Sequence, residues 1–385
     1  MGSVDPLRAA RALAPLIRAT ADQADATRRF PSEVIEAMAE ARVFRAMVPR
    51  AAGGDEVDPL TALNLVEAVS RVDGSAGWLA MIGSGAGFLT GYLDTEVARR
   101  MFEEPLACLV GNIGAPAARA VRAPGGYRVT GRWPFVSGCE HATWLAGNTL
   151  LFAEDNAQTL ANGAPVTRIV VFKREAATIL DTWSATGLRA TSSHDVAVSD
   201  LFVPDGHSLA WADGPKQPGP LYPVRFMLVT HAAHALGVAR AAIDGLVELA
   251  EHKQPTRSAA PLHALPQFQH NLAQAEALVH AARAFTWEIS AEVYDTLCAG
   301  LPVSLRQRAL LRLAMTHAVQ SAAQAVDLVW AVAGSSPVYT SSPIERCFRD
   351  IHVATQHAAV GVFSYETIGA AVAHPDETWR GAALI

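Results

Sequence analysis

The stretch TGLRATSSHDVAVSDLFVP, residues 186–204, changes character half-way along. Its first half gathers Thr186, Arg189, Thr191, Ser192, Ser193, His194 and Asp195 just after Trp183. Its second half alternates Val196 and Val198 with small or polar residues, the two-residue period of a half-buried strand. Hydroxyls and a glycine ahead of a strand offer donors to a ligand's polar edge. An ordinary capped turn accounts for the same residues equally well.

Outward from that stretch the β texture continues. YRVTGRWPFVSG, WLAGNTLLFA and TRIVVFKRE are rich in β-branched residues and punctuated by Gly and Pro, which predicts a domain of short antiparallel strands over 106–215. PDGHSLAWADGPKQPGPLYP, 204–223, marks its end. Residues 1–105 read as helices: LRAARALAPLIRATADQADATRRF has apolar positions at three- and four-residue steps, and Pro31, Ser32 and Glu33 open the next helix. Residues 216–385 are helical and Ala-rich. Parts, such as AAQAVDLVWAVAG, are apolar nearly all round and must be buried. With few charges available, subunit interfaces are the expected cover, so a homo-oligomer, dimer or tetramer, is expected.

Half of the 385 residues are hydrophobic and 18% are charged, enough for a large core. A net charge of −6 gives no electrostatic case for nucleic acid. Cys108, Cys139, Cys298 and Cys347 show no metal or disulfide spacing, which fits free thiols in a reducing compartment. The N-terminus has no signal-peptide pattern, and no uncharged apolar run approaches the length of a membrane span. A cytoplasmic location is the default.

Chemistry-bearing motifs are sparse. HAAH, 231–234, puts His231 and His234 one turn apart, but no carboxylate accompanies them, which favours helix packing over a metal site. In FRDIHVATQH, 348–357, His352 and His357 lie roughly 140° apart around a helix and cannot easily share a metal. Arg346, Asp350, Ala354 and His357 share one face, with Arg346 in reach of Asp350. A structural ion pair plus a core histidine explains them at least as well as catalysis. GSGAGF, 83–88, follows a helical pattern rather than a strand, which excludes a Rossmann site. PFVSGCEHATW, 134–144, sets Ser137, Glu140 and His141 after a strand.

Taken in order, these pieces resemble the acyl-CoA dehydrogenase fold over almost the whole chain. TGRWPFVSG, the pattern GLRxTxSxDVxVxDxFVP over 187–204 and the later ALGVARAAID carry the resemblance. It implies an α+β, mostly α architecture: an N-terminal helical domain, a middle antiparallel β domain and a C-terminal four-helix bundle. The dehydrogenases of this fold place a glutamate base in a YxGT-type segment, which is missing here; Glu366 is the nearest candidate. AGSSPVYTSSPIERCFRDIHVATQH instead resembles the two-component flavin-dependent monooxygenases, which receive reduced FMN or FAD from a separate reductase.

That branch implies hydroxylation with O2 through a C4a-hydroperoxyflavin. It makes His357 and Ser137 the catalytic residues, and a histidine titrating near neutrality would suit proton transfer there. Phe135, Ser137 and Gly138 would flank the isoalloxazine, with Arg189, Thr191 and Ser193 as further cofactor contacts. Lys253 and Arg257 are candidates for the flavin phosphate, with surface solvation an equal reading, and Gln267 for a contact from the next helix. Relatives with a further histidine in the N-terminal domain differ from this chain, which has Trp78, Met81 and Ser84 there; with His141 these are the substrate candidates. Gly83, Gly85 and Gly87 suggest a roomy wall and a bulky, apolar aromatic or polycyclic substrate. No metal is expected. The alternative is an FAD-containing dehydrogenase or oxidase; a third reading is a non-catalytic scaffold.

Overall fold

Helix starts in the N-terminal third are written locally. Asp5, Asp58 and Asp73 each accept a hydrogen bond from a first-turn N–H, those of Leu7, Thr61 and Ala76, that has no partner within its helix. The computed structural model describes residues 5–153, 156–256 and 258–373. Its first part holds α1 Pro6–Ala12, α2 Ala14–Thr27, α3 Ser32–Glu40, α4 Pro59–Ser70, α5 Gly74–Phe88 and α6 Thr95–Met101.

The strands follow: β1 Leu109–Asn112, β2 Ala118–Ala123, β3 Gly126–Val136, β4 Trp144–Ala153, β5 Asn156–Ala157, β6 Thr167–Lys173, β7 Thr178–Leu180, β8 His194–Pro204 and β9 Ser208–Leu209. The main path of the sheet runs β7-β8-β3-β2-β4-β6-β9. The expected all-antiparallel sheet is corrected to a mixed one. Leu109–Asn112 pairs parallel to Trp144–Gly147, and Ala118–Val121 parallel to Thr149–Phe152. Alternation in a sequence reports which face is buried and not which way a strand runs, so strand direction was not legible.

The β3–β8 ladder is the part that shapes the site. Its register shifts twice, the second time between Trp133 and Val136. Phe135 sits in that irregularity with φ +57°, and its ring is 67% exposed. Such bulges re-aim side chains at sheet edges and active sites, and a positive φ on a bulky residue is strain that its surroundings must hold.

The C-terminal helices are α7 Thr230–His252, α8 Pro266–Cys298, α9 Leu305–Val332, α10 Pro343–Ala354 and α11 Ser364–Ala373. Phe226–His252 is, by length and composition, apolar enough to cross a membrane, contrary to the sequence expectation, but 83% of its most apolar window is buried inside the protein. Gly237 makes the closest approach possible: a Cβ there would lie 2.6 Å from Glu67 O of α4. The all-round apolar stretch of α9 is only partly covered within one chain, since Leu328, Trp330 and Val332 are half-exposed.

Candidate active site

Trp78, buried in α5, is where the three parts of the chain meet. Its Nε1–H donates to Ser137 Oγ at 3.0 Å. Ser137 Oγ lies 2.7 Å from Ser193 Oγ, which lies 2.6 Å from Thr191 Oγ1, and Thr191 donates to Leu188 O at 2.8 Å. A carbonyl only accepts and an indole N–H only donates. The protons therefore run one way, from Trp78 to Ser137 to Ser193 to Thr191 to Leu188 O. Ser137 has spent its proton and keeps one acceptor lone pair. Gly138, at φ +75°, donates its N–H to Thr191 O at 2.8 Å, tying the two loops together.

The far end of this chain is held by α10. Asp350 Oδ1 accepts from Leu188 N–H at 2.6 Å. The expected Arg346–Asp350 pair does not form; Arg346 pairs with Asp22 and, at 3.6 Å, with Asp73. The α10 face packs between α2, α5 and the 186–193 loop, where partners across the interface stand in better positions than the residue one turn along. Arg349 pairs in both ways, with Glu345 one turn back on α10 and with Asp25 and Thr186 O across the interface. Burial, and then Asp73, push the Asp350 carboxyl up to about 8.

Facing Trp78 from the bundle are three imidazoles. The ring centroids of His231, His234 and His357 lie 5.8, 5.1 and 5.7 Å from that of Trp78, and those of His231 and His357 are 4.5 Å apart. His357 lies beyond the end of α10. Its Nδ1 accepts from Ala359 N–H at 3.2 Å, so in the neutral ring Nε2 carries the proton. His231 Nδ1 and His234 Nε2 donate to the carbonyls of Leu228 (2.8 Å) and Gly74 (2.9 Å). That leaves His231 Nε2 and His234 Nδ1 as buried acceptors without a partner.

Burial first, then the Arg312 charge, holds His357 down to about 4. Burial does the same to His234, also to about 4, and drives His231 well below its usual range with help from His357. The expectation of a histidine titrating near neutrality is therefore corrected. At neutral pH His357 is an uncharged ring with a fixed Nε2–H to donate.

Other expected site residues fall in different places. Ser84 returns its hydroxyl to Met81 O at 3.2 Å inside α5, and both are buried. The glycine wall is not roomy: a Cβ on Gly83 would lie 2.4 Å from Phe44 Cδ1, and one on Gly87 2.8 Å from Val48 Cγ2. His141 Nε2 is buried and unpartnered, with burial lowering its pKa, but none of its recorded contacts joins it to the Trp78 cluster. Lys253 donates to Ala333 O and Ser336 Oγ at the end of α9, and Gln267 is exposed and bonds Asn271. Arg257 lies outside the described residues. Arg189 bonds Asp25 O and Ala185 O beside a cavity of about 510 Å³ that also touches Asp22, Arg346 and Arg349. Its charged groups neutralise one another across the seam between α2 and α10. Among the described residues no cluster of three or more His, Cys, Asp or Glu is arranged to hold a metal.

The sequence reading missed His231 and His234 as members of this cluster. The only signal was a pair of histidines one turn apart on an otherwise apolar helix.

Residues 8–102 match the family "Acyl-CoA dehydrogenase, N-terminal domain" and residues 229–361 match "Acyl-CoA dehydrogenase, C-terminal domain". The indole-3-acetate monooxygenase of Pseudomonas putida is 33% identical over 92% of this chain and 90% of its own. The chain belongs to the acyl-CoA dehydrogenase family, in its branch of flavin-dependent monooxygenases. Within that branch it is also 28% identical to the oxygenase component of the FADH2-dependent resorcinol hydroxylase of Rhizobium sp., over 90% of this chain and 88% of that one. The crystal structure of 3-HSA hydroxylase from Rhodococcus sp. RHA1 superposes with a TM-score of 0.89, at 25% identity and 98% coverage of both chains.

Membership makes this chain an oxidoreductase that uses reduced flavin, with a separate flavin reductase and a small-molecule substrate. The Trp78 region fits a flavin. Ser137 offers an acceptor, His357 a donor, and the exposed Phe135 ring stands edge-on to half-buried Trp183 at 6.3 Å.

Proposed function

We propose that this enzyme hydroxylates an aromatic or polycyclic small molecule, with Ser137 and His357 as its catalytic residues. The observation that carries the assignment is the one-way hydroxyl chain that leaves Ser137 as an acceptor beside a neutral, donating His357. A reduced flavin held there would supply the activation of O2 and the oxygen atom transferred to the substrate. The chain's own residues set the conditions for that. Trp78, Ser193 and Thr191 hold the Ser137 proton pointing away from the site. Ser137 is then ready to accept from a donor such as the N5–H of reduced flavin, whereas oxidised flavin presents only an acceptor at N5. His357 donates from Nε2 without becoming charged.

Phe135, Gly138, Thr191 and Ser193 complete the flavin edge in this reading. Trp78 and Met81 form the substrate side, and Arg189 supports the loop from behind. The flavin is FMN or FAD. Three units over 1–105, 106–215 and 216–385 frame the site between them. The exposed Val338, Tyr339, Val362 and Phe363 and the half-covered α9 suit a homo-oligomer, and a cytoplasmic location suits the free thiols.

The test is an anaerobic titration with FMN and FAD in both redox states. Reduced flavin should bind at least about 10-fold tighter, the worth of one hydrogen bond made rather than opposed. Equal affinities, or a preference for oxidised flavin, would remove the assignment. Against a dehydrogenase, Glu366, the nearest candidate for a carboxylate base, is exposed on α11 and not buried in the Trp78 cluster.

A further inference from the structure

Arg312 is a buried cation that forms no ion pair with a carboxylate of the described residues. It projects from α9 and is only 9% exposed, yet of its five N–H donors the recorded bonds use one, from NH2 to Ser364 Oγ at 3.1 Å. No carboxylate of the described residues lies within 4 Å of it. Arg45, buried to a similar degree, shows how such a group is normally accommodated: its donors reach the carbonyls of Gly53, Glu104 and Pro105. Arg240, Arg283, Arg346 and Arg349 all have carboxylate partners.

Burial pulls the Arg312 guanidinium down to about 10, and its next strongest influence is another cation, Arg225. A buried charge costs several kcal/mol unless an opposite charge and hydrogen bonds meet it. On the same face of α9 a polar atom is left without a partner. Thr316, one turn on, is fully buried and its Oγ1 has no partner. Its bond to Ser364 ties Arg312 to the segment that follows His357, and its charge acts on both His357 and His231.

We propose that Arg312 and Ser364 receive the acidic group of the substrate, so that the molecule hydroxylated is an aromatic acid whose ring packs against Trp78 and the three imidazoles. This rests on the hydroxylase reading and narrows its substrate class. A carboxylate accepts two parallel N–H bonds from the guanidinium fork and supplies the missing counter-charge. A neutral aromatic of the same shape leaves the buried cation without that counter-charge.

The experiment compares indole-3-acetate with its uncharged isostere indole-3-acetamide, followed by calorimetry or tryptophan fluorescence on the full chain without turnover. The acid should bind roughly 10- to 100-fold tighter. Arg312→Gln should abolish that ratio, while Arg312→Lys, which keeps the charge and loses the fork, should retain part of it. Should Arg312→Gln not fold, Arg312→Lys and Ser364→Ala must each still narrow the ratio. Equal binding of acid and amide by the wild-type protein overturns the proposal, as does a ratio that survives these substitutions. Binding is read without oxygen chemistry, so an acid preference in a protein that never oxygenates removes the hydroxylase reading and leaves the anion site standing. Oxygenation without an acid preference does the reverse.

Discussion

Two polar regions flank the 186–193 loop and treat their charges in opposite ways. On one side is the seam where α10 meets α2, in which Arg346 and Arg349 find Asp22, Asp25, Asp73 and Glu345. On the other is the Trp78 cluster, where His231 Nε2 and His234 Nδ1 are buried with nothing to bond. Neither side is fully satisfied, since Glu345 Oε2, Arg346 Nε and Asp350 Oδ2 of the seam also lack a partner. The seam differs in meeting charge with charge, whereas burial keeps the imidazoles of the cluster neutral. The seam braces the loop, and the cluster is the side on which the proposed flavin and substrate would sit. The two are joined through Leu188, which gives its N–H to Asp350 and takes the proton of Thr191 on its carbonyl.

The largest effect that can break this contrast is at His357. His357→Ala removes a pre-aligned donor, and such a loss costs about 100-fold or more in the step it serves. We expect product formed per reduced flavin oxidised to fall by that order, with hydrogen peroxide released in its place and little change in thermal stability. Coupling that stays at the wild-type level would move His357 to the structural side of the comparison.

Asp350 comes next, because it belongs to the seam and acts on the site. Asp350→Ala leaves the Leu188 N–H buried and unmet, a loss of about 1–3 kcal/mol. It also loosens the hydroxyl chain, so flavin affinity should fall with stability. Asp350→Asn keeps a neutral acceptor of the same shape and should stay near wild type in both. Denaturant unfolding and flavin titration on the two variants separate these outcomes; equal damage from both substitutions would mean that shape, not the accepted bond, is what matters.

The two regions should also respond to pH with opposite signs. His357 and His234 are held at about 4 when folded and titrate near 6.5 when unfolded. Their contribution is present above pH 6.5 and is lost as pH falls toward 4. Asp350 is raised to about 8 from an unfolded value near 3.9, so its contribution is full below about 4 and is lost as pH rises through 8. Removing the second term with Asp350→Asn should make stability rise more steeply with pH between 4 and 8. An unchanged slope would show that Asp350 is ionised in the folded protein.

Why the sequence revealed one region more readily than the other follows from the kinds of bond involved. The hydroxyl chain lies within short segments, Ser137–Gly138 and Thr191–Ser193, whose residue types alone advertise donors and acceptors. Phe135 and the bulge were visible only as a Pro-Phe step in a strand. The histidine trio joins α5, α7 and the end of α10, residues separated by more than a hundred positions, and His231 looks like any core histidine until Trp78 is opposite it. Helical spacing put Arg346 beside Asp350, yet tertiary partners outcompeted the neighbour one turn away. The glycines of 83–87 suggested space, but Phe44 and Val48 fill it. Composition says where small residues are and not what packs into them.

The smallest effect belongs to the rim of the seam. Asp22 bonds Arg346 from a position 85% exposed, whereas Asp73 meets the same guanidinium from the buried side. Exposed pairs of this kind are worth about 0–1 kcal/mol, because water already serves both charges and ordering the side chains costs entropy. Asp22→Asn should therefore leave the melting temperature nearly unchanged and product coupling intact, since Arg346 keeps Asp73. A clear loss of coupling in this variant would mean that the rim transmits strain through α10 to Leu188, and that the seam is part of the reaction centre's machinery and not only its support.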